Sequence, residues 1–253
     1  MDFSRNWLFI DQETQRKLSD KRLLIVGSGI GSFISELAVR TGFQHLIIAD
    51  GDDVSHSNLN RQNYRLEDVG APKVHSLEAR LLAINPNLNL TVIPKYMGAT
   101  ELREFIPQAD YIINTIDFDS PDFLLCSQLC REHHKIELFP MNLGFGASLC
   151  IFSQTCPTWR DLFQFEDHID LKASILQYLA ATQSVESYLY QALGRYQSEY
   201  FHHGCDPQLG ISTYMVSAMT VANLVKLVKG DDIRYFPEFY YLDPYGNKTI
   251  SAA

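Results

Sequence analysis

The stretch Asp50-Gly51-Asp52-Asp53-Val54-Ser55-His56-Ser57-Asn58-Leu59-Asn60-Arg61-Gln62 gathers carboxylates, amides and a guanidinium within one short window. Carboxylates such as Asp50 and Asp52 can accept from sugar hydroxyls. Asn58 and Gln62 offer amides, and Arg61 offers a planar fork that suits a phosphate. Lys73 follows at the start of an expected helix, within reach of the same phosphates. A polar surface loop with a solvated lysine is the plainer alternative. Ahead of this stretch lies Gly27-Ser28-Gly29-Ile30-Gly31-Ser32. Glycines between a strand and a helix allow a tight turn and let an anion approach backbone N–H groups at the positive end of the helix dipole. The spacing is G-x-G-x-G, not the dinucleotide G-x-G-x-x-G. The turn by itself therefore leaves a nucleotide cradle and a purely structural turn both open.

The elements around these residues read as a β-α-β unit. Arg22–Val26 is a buried strand, Phe33–Thr41 a helix ended by Gly42, and Leu46–Ala49 a strand ending at Asp50, where a ribose hydroxyl would sit. Trp7–Leu18 reads as a polar N-terminal helix. Further along, the pattern gives helices at Lys73–Ile84, Thr100–Phe105, Pro121–His133 and Ser212–Lys229. Strands are expected at Leu90–Ile93, Tyr111–Thr115, Ile136–Leu138 and Ser148–Phe152. Phe239–Leu242 and Lys248–Ser251 read as a closing hairpin. The fold class is α/β: a Rossmann-like, doubly wound, mostly parallel sheet with an antiparallel C-terminal part and a helical insert. One domain over 1–253 is expected, with a nucleotide-binding core at 20–155, the helical insert at 159–203, and a final helix and strands at 205–253.

Composition narrows the function. At 46% hydrophobic the chain can bury a substantial core. No apolar run reaches the roughly eighteen residues of a membrane span, and the early charges of Met1–Asp11 do not suit an export signal. A cytoplasmic protein with no membrane partner is expected. The net charge of −9 disfavours a large polyanion such as tRNA or DNA. The cysteines Cys126, Cys130, Cys150, Cys156 and Cys205 form no C-x-x-C pair and read as reduced thiols. Cys126 and Cys130 share a helix face and read as core. His133-His134 reads as a helix end.

These residues resemble a known family. The loop is similar to the D-x-D-x-V-x-x-S-N-L-x-R-Q motif of the ubiquitin-activating (E1-like) superfamily, the group with the ThiF and MoeB enzymes. Asp68-Val69-Gly70-Ala71-Pro72-Lys73 resembles the family's D-x-G-x-x-K segment, and Ile84-Asn85-Pro86 its N-P turn. Tyr111–Asp117 resembles the strand that ends in the family's metal-handling aspartate. Ser4-Arg5-Asn6 resembles an N-terminal S-R-Q whose arginine reaches a partner subunit's nucleotide. The likeness covers about residues 3–155 and 205–251.

The resemblance implies adenylation of a carboxylate with ATP and Mg²⁺. Gly27, Gly29, Gly31, Asp50, Asp52, Asn58, Arg61, Gln62 and Lys73 would hold ATP, and Asp117 would hold Mg²⁺. Arg61, Lys73 and an Arg5 from the neighbouring subunit would offset charge on the leaving pyrophosphate. A homodimer is implied, as is a substrate that is a peptide or a small ubiquitin-like carrier protein.

Four departures from the family stand out. The glycine turn is one residue short. The four zinc cysteines are missing: Cys156 stands near the first pair and Trp159 takes the expected second place, so no zinc site is expected. Asp122 replaces a common arginine. The segment Trp159–Phe201, whose Tyr178, Tyr188, Tyr190 and Tyr196 read as half-buried helix packing, replaces the family's crossover region. Cys205, beside His202 and His203, is a candidate thioester cysteine, and a loop cysteine is the alternative. Two other functions stand beside adenylation: a dinucleotide-dependent oxidoreductase and a non-catalytic dimeric binding module.

Overall fold

A computed structural model describes residues 1–117, 120–162, 178, 188, 189, 195 and 207–246. The strands are β1 (Arg22–Val26), β2 (His45–Ala49), β3 (Asn89–Ile93), β4 (Tyr111–Asn114), β5 (Ile136–Leu143), β6 (Gly146–Phe152) and β7 (Phe239–Leu242). They form one seven-stranded sheet in the order β3-β2-β1-β4-β5-β6-β7. The pairs from β3 across to β5 are parallel. β6 and β7 run antiparallel to their neighbours. β1 is central because it is apolar throughout its buried length: Leu24 lies between Ile47 of β2 and Ile112 of β4. The chain leaves β1 toward β2 and β3, then returns to β4 on the other side. This reversal opens a crevice at the C-terminal ends of β1 and β4, where open α/β sheets bind ligands.

The helices are α1 (Gln12–Asp20), α2 (Ile30–Thr41), α3 (Lys73–Ile84), α4 (Ala99–Phe105), α5 (Asp122–Glu132), α6 (Trp159–Leu162) and α7 (Gly210–Lys229). Three boundaries differ from the sequence expectation by three residues or more, each for a local reason. α1 begins at Gln12 and not near Trp7, because Asp11 caps it by accepting from the Thr14 N–H at 2.7 Å. α2 begins at Ile30, so Gly31 and Ser32 belong to its first turn. β5 runs past Pro140 to Leu143. Its ladder with β4 ends at Leu138, so Pro140 lies beyond that neighbour and its missing N–H breaks no bond there. The hairpin partner expected at Lys248–Ser251 lies outside the described residues, as does most of the expected insert at 159–203.

α7 is long and apolar enough to cross a membrane by length and composition. Its Ser212, Val216, Ser217, Thr220 and Leu224 are nevertheless buried, and it packs against α2, β5 and β6. Small side chains on that face let the helix sit close to the sheet, which is the setting of a core helix. On the far side of the sheet, Cys126 and Cys130 on α5 are buried in an apolar cluster with Ile112 and Leu129. His133 closes α5, and His134 takes the left-handed turn after it, with φ at 54°.

A second fixed point lies on α2. Glu36 accepts from Arg40 Nε at 2.8 Å, from Arg80 Nε of α3 at 2.5 Å, and from Asn63 Nδ2 at 2.6 Å. This ties both helices to the loop after β2. Burial alone would raise the carboxyl, but the donors from Asn63, Arg80 and Arg40 outweigh it and hold the pKa down at about 2. A lowered folded-state pKa gives stability that is full above the ordinary glutamate value and is lost as pH falls toward the folded value. Replacing Glu36 with Gln should therefore cost on the order of 2 kcal/mol at neutral pH. Urea unfolding of both proteins should show that gap closing as pH falls from about 4.5 toward about 2. A gap that stays constant with pH would contradict the assignment.

Candidate active site

The glycine turn connects β1 to α2 and is gripped from two sides. Gly27 has φ at +96°, and a Cβ there would lie 2.4 Å from Thr115 Oγ1. Thr115 itself donates to Val26 O at 2.8 Å and to Gly27 O at 3.1 Å, which joins the end of β4 to the turn. Gly31 lets α2 rest on β1: a Cβ there would lie 2.6 Å from Ile25 Cγ2. So the shortened motif keeps two backbone functions, the left-handed turn and the close contact of helix with strand. Ser28 Oγ and Gln62 Oε1 are two of the buried polar atoms that have no hydrogen-bond partner among the described residues. A cradle of glycines with orphaned polar atoms beside a helix N-terminus fits a phosphate chain.

The loop after β2 is clamped onto this turn. Gln62 lies over Gly29, its Nε2 only 3.2 Å from where a Cβ would be. The Asn63 N–H donates to Ser32 Oγ at 3.0 Å, and the Tyr64 hydroxyl donates to Ser28 O at 2.8 Å. Burial pushes the Tyr64 phenol well above the ordinary tyrosine range, so it stays a donor. Sequence reasoning missed Tyr64 and Thr115. Their only signal was proximity to motif residues.

Asp50 ends β2 as expected. Its Oδ2 accepts from the Ser28 N–H at 2.6 Å and its Oδ1 from the Asp52 N–H at 2.8 Å. Burial raises its pKa, partly offset by Lys73 and these N–H groups. Lys73 opens α3, where a cation meets the unfavourable end of the helix dipole. Asp52 compensates, with Oδ2 2.6 Å from Lys73 Nζ. Burial works against the Asp52 carboxylate, but the bonds from Lys73 and Tyr96 prevail and lower its pKa. The ammonium is thus held inside the protein by Asp52 rather than left free in solvent. The backbone brings the two together: Asp53 bridges Pro72, and the Lys73 N–H donates to Asp52 O at 2.9 Å.

Asn58 and Arg61 occupy the same loop in more structural settings than expected. Asn58 is buried, and its Oδ1 accepts from the Ser55 N–H at 2.9 Å, closing a capping box on the 3-10 turn His56–Asn58. Arg61 donates from Nε to Gln208 Oε1 at 3.0 Å, and from Nη1 to Ser57 O at 2.7 Å and Asn60 Oδ1 at 3.0 Å. Gln208 stands just before α7, so the guanidinium links the loop to that helix. Asn142 at the end of β5 joins the group by donating to Thr213 Oγ1 at 2.9 Å, while its buried Oδ1 has no partner among the described residues. Gln208 and Asn142 lie far from the motif in sequence, and no local pattern marks them.

Asp117 is exposed on the turn after β4. Asn114 shapes that turn: its Oδ1 accepts from the Ile116 N–H at 3.2 Å, and its Nδ2 donates to Glu137 Oε1 at 2.7 Å. Burial pushes the Glu137 carboxyl up to about 7. No group of three or more metal-ligating side chains exists among the described residues. A Mg²⁺ ion held by one carboxylate and by nucleotide phosphates fits this donor set, since that ion usually takes few protein ligands. Arg5 is exposed on the short turn Ser4–Asn6. Cys205, His202 and His203 lie outside the described residues. Cys156 accepts from the Ser153 N–H at 3.1 Å. The nearby Trp159 is almost fully buried against Phe139, Phe152 and Phe236, so aromatic packing fills this corner.

Comparisons with known proteins identify the family and the fold. The model of the ThiF family matches residues 3–252. The tRNA threonylcarbamoyladenosine dehydratase of Bacillus subtilis (strain 168) is 34% identical over 183 residues, 69% of this chain and 67% of that protein. The Sulfur carrier protein ThiS adenylyltransferase of Escherichia coli (strain K12) is 33% identical over 163 residues, 63% of each chain. The Molybdopterin-synthase adenylyltransferase of Haemophilus influenzae is 31% identical over 160 residues, 60% of this chain and 64% of that one. The two adenylyltransferase alignments thus span slightly under two thirds of those relatives. Among solved structures, PaaA aligns with a TM-score of 0.68 at 19% identity, covering 93% of this chain and 73% of that one. E. coli MccB with ATP aligns with a TM-score of 0.65 at 18% identity, covering 90% and 63%. These structural likenesses establish the shared fold.

The turn geometry separates two glycines experimentally. Gly70 also has a positive φ, at +88°, but a Cβ there meets nothing within 4 Å. Gly70→Ala should cost about 1 kcal/mol, from backbone strain alone, and Gly27→Ala about 3 kcal/mol, because the Thr115 contact adds to the strain. Chemical denaturation measures both, and equal losses would show that the Thr115 contact yields easily.

Proposed function

The chain belongs to the ThiF family, and on that premise we propose that it uses ATP to adenylate the C-terminal carboxylate of a peptide or small ubiquitin-like carrier protein. The observation that carries this reading is the clamp of the Asn58–Tyr64 loop onto the glycine turn. Through Gln62, Asn63 and Tyr64 it brings the loop bearing Asn58 and Arg61 to the α2 N-terminus, beside Asp50. A phosphate chain lying there would meet backbone N–H groups at the turn and the cation of Lys73. Asp50 would meet the ribose.

In the reaction a carboxylate oxygen of the substrate attacks the α-phosphorus of ATP. The new P–O bond forms as the bond to pyrophosphate breaks, giving an acyl-adenylate. Negative charge grows on the departing pyrophosphate, and preorganised cations there lower the barrier. Lys73, Arg61 and an Arg5 contributed by a second copy of the chain supply that charge. Asp117 would hold Mg²⁺, which when bound would neutralise phosphate charge. The protein works as a homodimer in the cytoplasm; the unpaired thiols Cys126, Cys130, Cys150 and Cys156 suit a reducing compartment. The dehydratase relative brings a tRNA-borne carboxylate to mind, but a net charge of −9 favours a peptide over a polyanion.

ATP–pyrophosphate exchange with candidate C-terminal peptides tests the reaction. Asp117→Ala should lower exchange by at least about 100-fold. Absence of exchange with the true partner, despite intact ATP binding, would sink adenylation. The role of Arg5 has its own test. Mixed dimers of Arg5→Ala and Asp117→Ala chains contain one intact site if Arg5 acts across the interface, so mixing should restore activity that neither variant shows alone. If mixing restores nothing, Arg5 acts within its own chain, and an Arg5→Ala protein that is active alone would show that Arg5 has no role.

A further inference from the structure

Tyr96 takes no part in the reading above, yet it touches the nucleotide edge of the sheet. It lies in the connection from β3 to α4 and is 69% exposed. Its ring covers Gly51, where a Cβ would fall 2.7 Å from Tyr96 Cδ2, so only glycine leaves room for it. Its hydroxyl donates to Asp52 Oδ1, while Asp52 Oδ2 receives the Lys73 ammonium at 2.6 Å. One carboxylate is therefore shared by two donors from two separate elements. The bond to Asp52, more than burial, pushes the Tyr96 phenol up to about 12, so it remains a donor near neutral pH. The loop beneath is fastened by the Gly98 N–H to Tyr96 O bond at 3.2 Å and by the Lys95–Glu101 ion pair at 2.6 Å.

Sharing has a thermodynamic consequence. Two donors on one carboxylate weaken each other, because each reduces the charge the other feels. If the Lys73 ammonium moves to a phosphate, Asp52 is left partly desolvated with its charge uncompensated, unless another donor remains. We propose that Tyr96 is a positioning residue that keeps Asp52 satisfied while Lys73 is transferred to the phosphates of bound nucleotide. This rests on the ATP reading above and deepens it. Tyr96 acts through Asp52 and touches no reacting atom. Its bond to Asp52 tightens as Lys73 departs, which lowers the cost of releasing the lysine.

The test is calorimetric titration of the full-length wild-type protein and Tyr96→Phe with ATP, inorganic pyrophosphate and AMP. Tyr96→Phe should weaken ATP and pyrophosphate about three- to tenfold, the range of an exposed hydrogen bond to a charged group. AMP affinity should stay within about twofold, because its single phosphate does not draw Lys73 away. The thermal midpoint should not move, since the side chain is exposed. In an Asp52→Asn background the effect of Tyr96→Phe on ATP should disappear. Equal weakening of AMP would overturn the proposal by showing that Tyr96 contacts base or sugar. Unchanged binding of every ligand would overturn it as well, as would a penalty that persists with Asp52→Asn. Failure of wild type to bind ATP or pyrophosphate would instead remove the nucleotide reading itself, and this inference with it.

Discussion

The bond from the Ser28 N–H to Asp50 joins the end of β1 to the end of β2 across 2.6 Å. Much of the site is arranged around that junction. It fixes the carboxylate where the glycine turn begins and sets the path of the loop that follows. The opposite side of the turn is fixed by Thr115, from the end of β4. Three parallel strands thus converge on one turn, and each contributes a different constraint. The reversal of strand order between β1 and β4 makes this convergence geometrically available.

From that point the polar groups form connected sets rather than isolated side chains. Gln62, Asn63 and Tyr64 fasten the loop to the turn, and Glu36 fastens the loop to α2 and α3. Arg61 and Asn142 both reach Gln208 before α7, by 3.0 and 3.5 Å contacts. Lys73 and Asp52 neutralise each other at the start of α3. A cation at that helix end would be disfavoured alone. Its presence makes sense as a reserve of positive charge held ready beside a phosphate cradle.

Most of the candidate site was legible because its residues are local: Asp50, Asp52, Asn58, Arg61, Gln62 and Lys73 fall on one loop and the helix start after it. The parallel strands were legible for a similar reason, since doubly covered strands are continuous apolar runs. Boundaries were less so. The helical start at Ile30 was hidden because Gly31 and Ser32 look like turn residues, and β5, expected to end at Leu138, runs on through Pro140 to Leu143. The fork of Arg61 read as a phosphate contact, whereas in the structure it donates to Gln208, Ser57 and Asn60. Gln208, Asn142 and Tyr96 reach the site only through tertiary contacts, so no spacing announces them. Nor does the sequence show how the corner lacking zinc cysteines packs. There Trp159 stacks among Phe139, Phe152 and Phe236, and burial of such rings gives a large apolar contribution.

The glycine turn and the clamped loop together are proposed as a cradle for a nucleoside triphosphate, although the turn by itself suits ATP and a dinucleotide alike. Side-by-side calorimetric titration of the full-length protein with Mg²⁺–ATP and with NAD⁺ addresses this most directly. ATP should bind saturably, and NAD⁺ should show no measurable binding at the same concentrations. Tight NAD⁺ binding with no ATP binding would contradict it, and would return the Asn58–Gln62 loop to a purely structural role.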